Sequence, residues 1–431
     1  MRVIIWGINY SPEPTGIAPY TAELAEYLTQ RDWQVEVVTG FPYYPAWRKQ
    51  PQDRGRLGRT DEIAGVTVHR CWQYVPRRLS TVQRVLHELS FGLTSVWRLL
   101  RLRPADLYVV ISPPLCLGPL AWAVTRLKRS RYLFHVQDLQ PDSAAGLGMV
   151  RPGVFLRLLF ACERFTYRHA AGVSVISPGM AEAVTGKGVP PAKVFHLPNW
   201  LRPAAPGPAR PDDGSFRRRH GIPAEALLAV YSGNLGRKQG LEVLLNAANF
   251  LVDAGSVPGR PVYIVIAGDG AMRDVLARRL ERLPLDNVRL LPLLADEEYQ
   301  AMLRTTDVAV VAQMPGTGNV CFPSKLLSVL AAGLPVVAVT DRSSGLARAV
   351  EEGGFGRVVL PGDSRALAAV LAEAAGQPAL CRQWAAHSTW VRQFSPDLLL
   401  PRFEEAMHEL VVSARREQNL SGAVEGPVPS P

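Results

Sequence analysis

The sequence predicts an α/β fold of two Rossmann-like, doubly wound domains that face each other across a cleft. Short apolar, β-branched runs alternate along the chain with longer stretches of helical period, the pattern of parallel sheets built from βαβ units. A length of 431 residues exceeds what one ordinary core holds. A Pro-rich segment without periodicity, residues 199–214, divides these runs into two sets and reads as a linker.

Strands are expected in the first half at 2–6, 34–38, 66–70, 107–111, 131–136 and 172–176. In the second half they are expected at 227–232, 262–267, 288–291, 307–312, 335–339 and 357–360. Helical patterns fall between them, at 18–30, 80–101, 240–253, 271–283, 296–305 and 324–332. The domains are therefore 1–198 and 215–395, followed by a helix within 396–415 and a tail, 416–431, expected to be disordered.

Composition narrows the class. Hydrophobic residues make up 47% and charged residues 20%, as in a soluble globular protein. The opening apolar run breaks at Gly7, too short for a signal sequence, and the prolines 113, 114 and 119 interrupt the longest apolar stretch. Five scattered cysteines (71, 116, 162, 321 and 381) form no C-x-x-C pair and no zinc spacing, so reduced thiols are expected and no metal site. The net charge of +10 is confined to one half: residues 1–200 hold 24 Lys and Arg against 14 Asp and Glu, and the remainder is balanced. Within 77–131 only Glu88 and Asp106 oppose ten basic residues, which calls for an anionic partner. No aromatic-basic interleaving of a nucleic-acid platform accompanies that charge, so no nucleic acid is expected as partner.

Four segments carry candidate chemistry. After the first strand, GINYSPEPTGIAPY places Gly16 in a loop that opens a helix, where free N–H groups and the helix dipole suit a phosphate. The spacing is neither that of a dinucleotide site nor that of a P-loop. At the end of the strand 131–136 follow His135, Asp138 and Asp142, a histidine beside carboxylates able to orient a hydroxyl or carry its proton. The alternative for these three is a satisfied buried histidine and a helix cap. In YSGNLGRKQGLE, Asn234, Arg237 and Lys238 lie in a glycine-rich loop at a helix start, a cradle for pyrophosphate that needs no metal. Gly268 and Gly270 of VIAGDG, with Ser324, Lys325 and Ser328 at the start of the helix after PSK, complete the expected donor-binding set.

Order and context make the combination specific. From Met1 to about residue 412 the chain resembles the family 4 retaining glycosyltransferases of GT-B fold, and within them the exopolysaccharide and O-antigen subgroup. The resemblance rests on GINYSPEPTGIAPYTAELAEYL, FPYYP at 41–45, HVQDLQPDSAAGLG, YSGNLGRKQGLE and PSKLLSVLAAGLPVV. It implies an acceptor-binding N-terminal domain, a C-terminal domain for a UDP- or GDP-sugar donor, and a final helix that crosses back to the first domain. It also implies retention of anomeric configuration, no cofactor and no metal, the Gly16 loop against the diphosphate and His135 near the donor sugar. The sequence departs from the family where many members carry two glutamates eight residues apart: those positions are Val320 and Ser328.

The segment 77–103 adds an expectation about location. Val82, Val85, Leu86, Leu89, Leu93, Val96, Trp97 and Leu100 form one apolar helical face flanked by arginines. Such a face suits an anionic membrane surface, placing the enzyme in the cytoplasm on the inner face of the membrane with a lipid-linked oligosaccharide acceptor, undecaprenyl diphosphate its carrier. The same stripe equally suits packing against the domain's own sheet. Two other functional classes share the fold-level pattern: a sugar-nucleotide 2-epimerase, for which the second half offers few carboxylates or histidines, and a non-catalytic scaffold, which leaves the basic loop unexplained.

Overall fold

The computed structural model describes residues 1–14, 16–44, 46–76, 80–146, 153–202, 214–253, 260–317, 323, 325–385 and 388–424, without the side chains of 388, 389 and 414–424. Arg77, Arg78, Val320, Cys321, Ser324 and most of the Pro-rich segment lie outside these residues. The chain divides into two compact units, one of residues 1–199 with 397–431 and one of residues 200–396.

Unit 1 is built on eight strands: β1 (Arg2–Trp6), β2 (Gln34–Gly40), β3 (Gly58–Ile63), β4 (Val66–Cys71), β5 (Leu107–Ser112), β6 (Arg131–Val136), β7 (Gly172–Val175) and β8 (Val194–His196). Their order is β3-β4-β2-β1-β5-β6-β7-β8, and every pair but β3–β4 is parallel. β1 and β5 are buried throughout or nearly so, as strands covered on both faces must be. β3 and β8 lie outside the strands expected from the sequence, for a physical reason. β3 (GRTDEI) is an antiparallel edge strand whose residues alternate between exposed and half-buried, so it carries no apolar run. β8 is three residues long.

Helices α1 (Ala18–Thr29), α2 (Thr81–Arg101), α3 (Leu117–Lys128), α4 (Gln140–Gly146) and α5 (Val154–His169) follow in order. The C-terminal helix, Pro396–Val424, belongs to unit 1. Its Glu404 accepts hydrogen bonds from Tyr27 Oη and Trp33 Nε1, both 3.0 Å, and its buried Phe403 packs on the His135 ring, centroids 5.1 Å apart. This helix continues to Val424, which corrects the expected start of an irregular tail at 416; the run SARREQ consists largely of good helix formers.

Unit 2 holds a wholly parallel six-stranded sheet: β9 (Leu227–Ser232), β10 (Val262–Ala267), β11 (Val288–Leu291), β12 (Val308–Ala312), β13 (Val336–Val339) and β14 (Gly356–Val359), in the order β11-β10-β9-β12-β13-β14. Two apolar layers, one on each face, close over it. The strand order reverses beside β1 in unit 1 and beside β9 in unit 2, and at such switch points the diverging loops leave a crevice at the carboxyl ends.

Helix α2 turns most of its apolar stripe outward. Its buried residues are His87, Phe91, Gly92, Ser95 and Leu99, and Ser95 Oγ accepts a buried hydrogen bond from Trp6 Nε1 at 3.0 Å. Val82, Leu86, Leu89, Leu93, Trp97 and Leu100 are exposed, Leu93 to 67% and Trp97 to 62%. The apolar stripe therefore does not pack against the domain's own sheet.

Docking of the C-terminal helix is expected to carry much of unit 1's stability. Phe403→Ala should lower the unfolding free energy of that unit by about 3–5 kcal/mol, the usual cost of emptying a buried aromatic position, measured by urea denaturation. A change below 1 kcal/mol would show that the helix is not anchored there.

Candidate active site

In unit 2, the segment after β9 turns through Gly233, a 3-10 turn at Arg237–Gln239 and a left-handed Gly240 into the helix Glu242–Asp253. It rests on the loop after β10: Gly233 N–H donates to Ala267 O, Leu235 N–H to Asp269 O and Met272 N–H to Leu235 O, at 2.8–2.9 Å. Glycine is obligatory in that contact. A Cβ on Gly268 would stand 1.8 Å from Gly233 O, and one on Gly270 2.6 Å from Asn234 Oδ1; both have positive φ.

Across the switch point, Lys325 opens the short helix Lys325–Ala331 after β12. Its Nζ lies 3.7 Å from the Tyr231 ring centroid and donates to Tyr231 Oη, which donates in turn to Asn234 O at 2.8 Å. The Lys325 ammonium thus sits beside the glycine-rich loop, where a Cβ on Gly233 would be 3.5 Å from it. Met314 N–H, after β12, donates to Lys238 O at 2.7 Å and fixes the turn from the other side. Among the described residues, neither the Gly236 nor the Arg237 N–H has an acceptor. Asn234 and Arg237 are exposed and Lys238 is half-buried. Three cations on or beside a glycine-framed turn, with the two N–H groups that lack an acceptor, can hold an anion and stabilise growing negative charge. Ser328 is exposed on the helix that Lys325 opens, and Ser324 lies outside the described residues.

In unit 1, the strand-end cluster is dispersed among structural partners. His135 is 4% exposed; its Nδ1–H donates to Ser174 Oγ at 2.8 Å and its Nε2 accepts from Gln137 Nε2 at 2.7 Å. Burial pushes it down to about 3, so the ring is neutral near pH 7. Asp138 accepts from Ser143 Oγ at 2.6 Å. Asp142 pairs with Lys187, which also holds the buried Glu163 at 2.7 Å. His135 is thus a satisfied buried histidine and Asp142 a half-buried ion-pair partner, each with the partners that polar groups away from water require.

Gly16 instead lines a cavity of about 190 Å³ at the switch point of the first sheet, formed by the segments after β1, β2 and β5 and by α2. Tyr43, Tyr44, Trp47, Arg84, His87 and Glu88 line it as well. The buried Glu13 shapes the wall: one carboxylate oxygen accepts the N–H groups of Tyr43 and Tyr44, both 2.9 Å, and the other accepts Asn9 Nδ2 at 2.8 Å. None of these α2 residues was singled out as a site from the sequence. The available signal was Glu88 itself, one of two acids in the most basic stretch of the chain; the other, Asp106, caps the Arg2 N–H at 2.8 Å.

Two doubly wound units, one with a basic glycine-framed loop at its switch point and the other with a polar cavity at its own, define a glycosyltransferase of GT-B fold. Residues 15–200 match the glycosyl transferase 4-like domain and residues 212–389 the glycosyl transferases group 1 domain. The chain is 32% identical over 402 residues to the colanic acid biosynthesis glycosyl transferase WcaI of Escherichia coli, covering 92% of this chain and 95% of that one. Among solved structures it is similar in fold to sucrose-phosphate synthase of Thermosynechococcus elongatus, with a TM-score of 0.73 at 16% identity over 96% of this chain and 99% of that one. It is also similar to Anabaena HepE in complex with UDP-glucose, with a TM-score of 0.67 at 15% identity over 95% and 100% of the two chains. The chain belongs to the family 4 glycosyltransferases.

The neutral, interior His135 has a measurable consequence. The unfolded chain takes up a proton on this group below about pH 6.5 and the folded one only near 3, so folding loses stability as pH falls through that window. His135→Gln removes the titration. The stability of the wild type relative to that variant should fall by about 2 kcal/mol between pH 7 and pH 5, measured by denaturant unfolding at each pH. A difference independent of pH would mean that the ring is solvated.

Proposed function

We propose that this glycosyltransferase moves a sugar, with retention of configuration and without a divalent metal, from a UDP- or GDP-sugar to a lipid-linked glycan in the synthesis of an exopolysaccharide or lipopolysaccharide. The observation that carries the donor half is the turn Gly233–Gly240. Arg237, Lys238 and Lys325 stand on or beside a glycine-framed bend whose Gly236 and Arg237 N–H groups have no acceptor among the described residues. Leaving-group charge on the diphosphate grows toward the transition state, and fixed cations with backbone donors stabilise it more there than in the ground state. The similarity to WcaI, named for colanic acid biosynthesis, and the UDP-glucose bound by HepE support the substrate classes.

The acceptor half rests on the surface of unit 1. α3 packs against both α2 and α5, and all three expose apolar side chains: Leu93 and Trp97 on α2, Leu127 (71%) on α3, Val154 (72%) and Leu158 on α5. Arg101 stacks on Trp97, its guanidinium carbon 3.8 Å from the ring centroid, and Arg126 on α3, Arg129 directly after it and Arg157 on α5 are exposed. Apolar residues with tryptophan and arginine at their margin are the signature of a surface that lies in the membrane interface. No helix among the described residues is long and apolar enough to cross a membrane. An undecaprenyl diphosphate carrier would present its glycan to the enzyme from such a surface.

Two experiments test this reading. With the cognate donor in EDTA-containing buffer, Arg237→Ala/Lys238→Ala should reduce turnover at least 100-fold, about 3 kcal/mol of transition-state stabilisation. Near wild-type kinetics in the double variant would remove the loop from the donor site. In liposome flotation the protein should bind vesicles containing anionic lipid and detach as salt rises, and Leu93→Glu/Trp97→Glu should abolish binding while the folded circular dichroism persists. Equal flotation by the double variant would rule this surface out.

A further inference from the structure

Arg70, on β4, is 2% exposed, and no role described above accounts for a charge so deep in unit 1. Its guanidinium ties three segments together. Nε donates to Asp61 Oδ2 on β3 at 2.7 Å, Nη1 to Gly40 O at the end of β2 at 3.2 Å, and Nη2 to Ser11 O in the loop after β1 at 2.5 Å. Desolvating a guanidinium is unfavourable, and a well-packed apolar side chain of similar size often serves stability as well or better. Stability alone therefore does not explain an arginine here. What an apolar residue cannot do is hold Asp61, Gly40 O and Ser11 O in one fixed geometry, as the planar, five-donor fork does.

The surroundings converge on the same loop. Gly40 N–H donates to Ile8 O at 3.2 Å, and a Cβ on residue 40 would stand 2.9 Å from that oxygen and 2.8 Å from Gln73 Nε2. The buried Gln73 holds Phe41 by both backbone groups: its Nε2 donates to Phe41 O at 2.6 Å and its Oε1 accepts the Phe41 N–H at 3.0 Å. Two residues beyond Ser11, Glu13 binds the Tyr43 and Tyr44 N–H groups. Burial pushes the Glu13 carboxyl up, and those N–H groups, Asn9 and the Arg70 guanidinium act in the opposite direction. Arg70 thus reaches the loop twice, through the Ser11 carbonyl and through the charge of Glu13. Ile8, Asn9, Gly16 and Ile17 of the same loop line the cavity.

We propose that Arg70 is a positioning residue for sugar transfer: from the buried side it holds the loop between β1 and α1 in one conformation, so that the loop meets the substrates already in place. Arg70 itself touches no substrate. Order fixed before binding need not be lost on binding, and a loop held in register keeps the reacting groups near their productive geometry. Lysine cannot take over the role, since one ammonium on a flexible stem does not span three acceptors on three segments. That the loop serves the transfer rests on the function proposed above; that Arg70 fixes the loop does not.

Two measurements on the intact protein test this role, comparing the wild type with Arg70→Lys and Arg70→Met. The methionine variant removes the charge while filling much of the space, and carries the test if the lysine variant fails to fold. By amide hydrogen exchange, residues 7–13 should exchange at least tenfold faster in the variants while β1 and β5 keep their wild-type rates. Release of nucleoside diphosphate from UDP-glucose, UDP-galactose, GDP-mannose and GDP-fucose is then followed, with a bacterial membrane lipid extract as acceptor source. On whichever donor the wild type turns over, kcat per folded molecule should be at least tenfold lower in the variants, with the donor KM within threefold. A merely structural arginine would lower the melting temperature and leave kcat per folded molecule alone. Unchanged exchange at residues 7–13 overturns the assignment of Arg70 and leaves the transferase reading intact. Faster exchange with unchanged kcat overturns the positioning role and counts against any part for the loop in transfer. Faster exchange with no wild-type turnover of any donor contradicts the donor reading and, with it, the role of the loop.

Discussion

The basic loop of unit 2 can lie where it does only because residues 268 and 270 have no side chains. Its hydrogen bonds to the β10 segment bring Gly233 O so near residue 268 that any Cβ there would overlap it. Everything chemically useful follows from that contact. It bends the chain sharply after β9, and it places Tyr231 where it can bridge Lys325 to Asn234. It also holds Arg237 and Lys238 on a tight turn instead of on a free strand end. Alanine at position 268 would push the two loops apart and dissolve the arrangement, although residue 268 touches no substrate in this scheme.

Unit 1 uses the opposite economy. Its long helix α2 buries Phe91 and Leu99 beside small residues, where Ser95 serves Trp6 and Gly92 lets α3 approach, and leaves Leu86, Leu89, Leu93, Leu100 and Trp97 outside. A helix packed this way forgoes the burial free energy of several large side chains, roughly 25 cal/mol for each Å² left exposed. Exposed apolar residues spread over three packed helices usually mark an interaction surface. The inward face of the same helix supplies His87 and Glu88 to the cavity lining.

Much of the architecture was legible in the sequence because parallel strands buried on both faces must be continuous apolar runs, as in VVAV and VYIVIA. The edge strand β3 was illegible because a solvated edge carries charges. The loop at Arg237 was legible because its glycines and paired cations are adjacent in the chain. The partners of His135, Asp138 and Asp142 were not, since Ser174, Ser143 and Lys187 reach them through the fold. Periodicity found the apolar stripe of α2 but could not say which way it faced. His87 escaped notice because a histidine inside a helical stripe reads as packing.

The central claim is that the turn after β9 receives the diphosphate of the donor. Amide hydrogen exchange of the intact protein with and without saturating UDP or GDP measures it most directly, peptide by peptide. Marked slowing at residues 233–240 on addition of a nucleoside diphosphate, and little with the free nucleoside, is the expected result. Slowing elsewhere with residues 233–240 unchanged would contradict it.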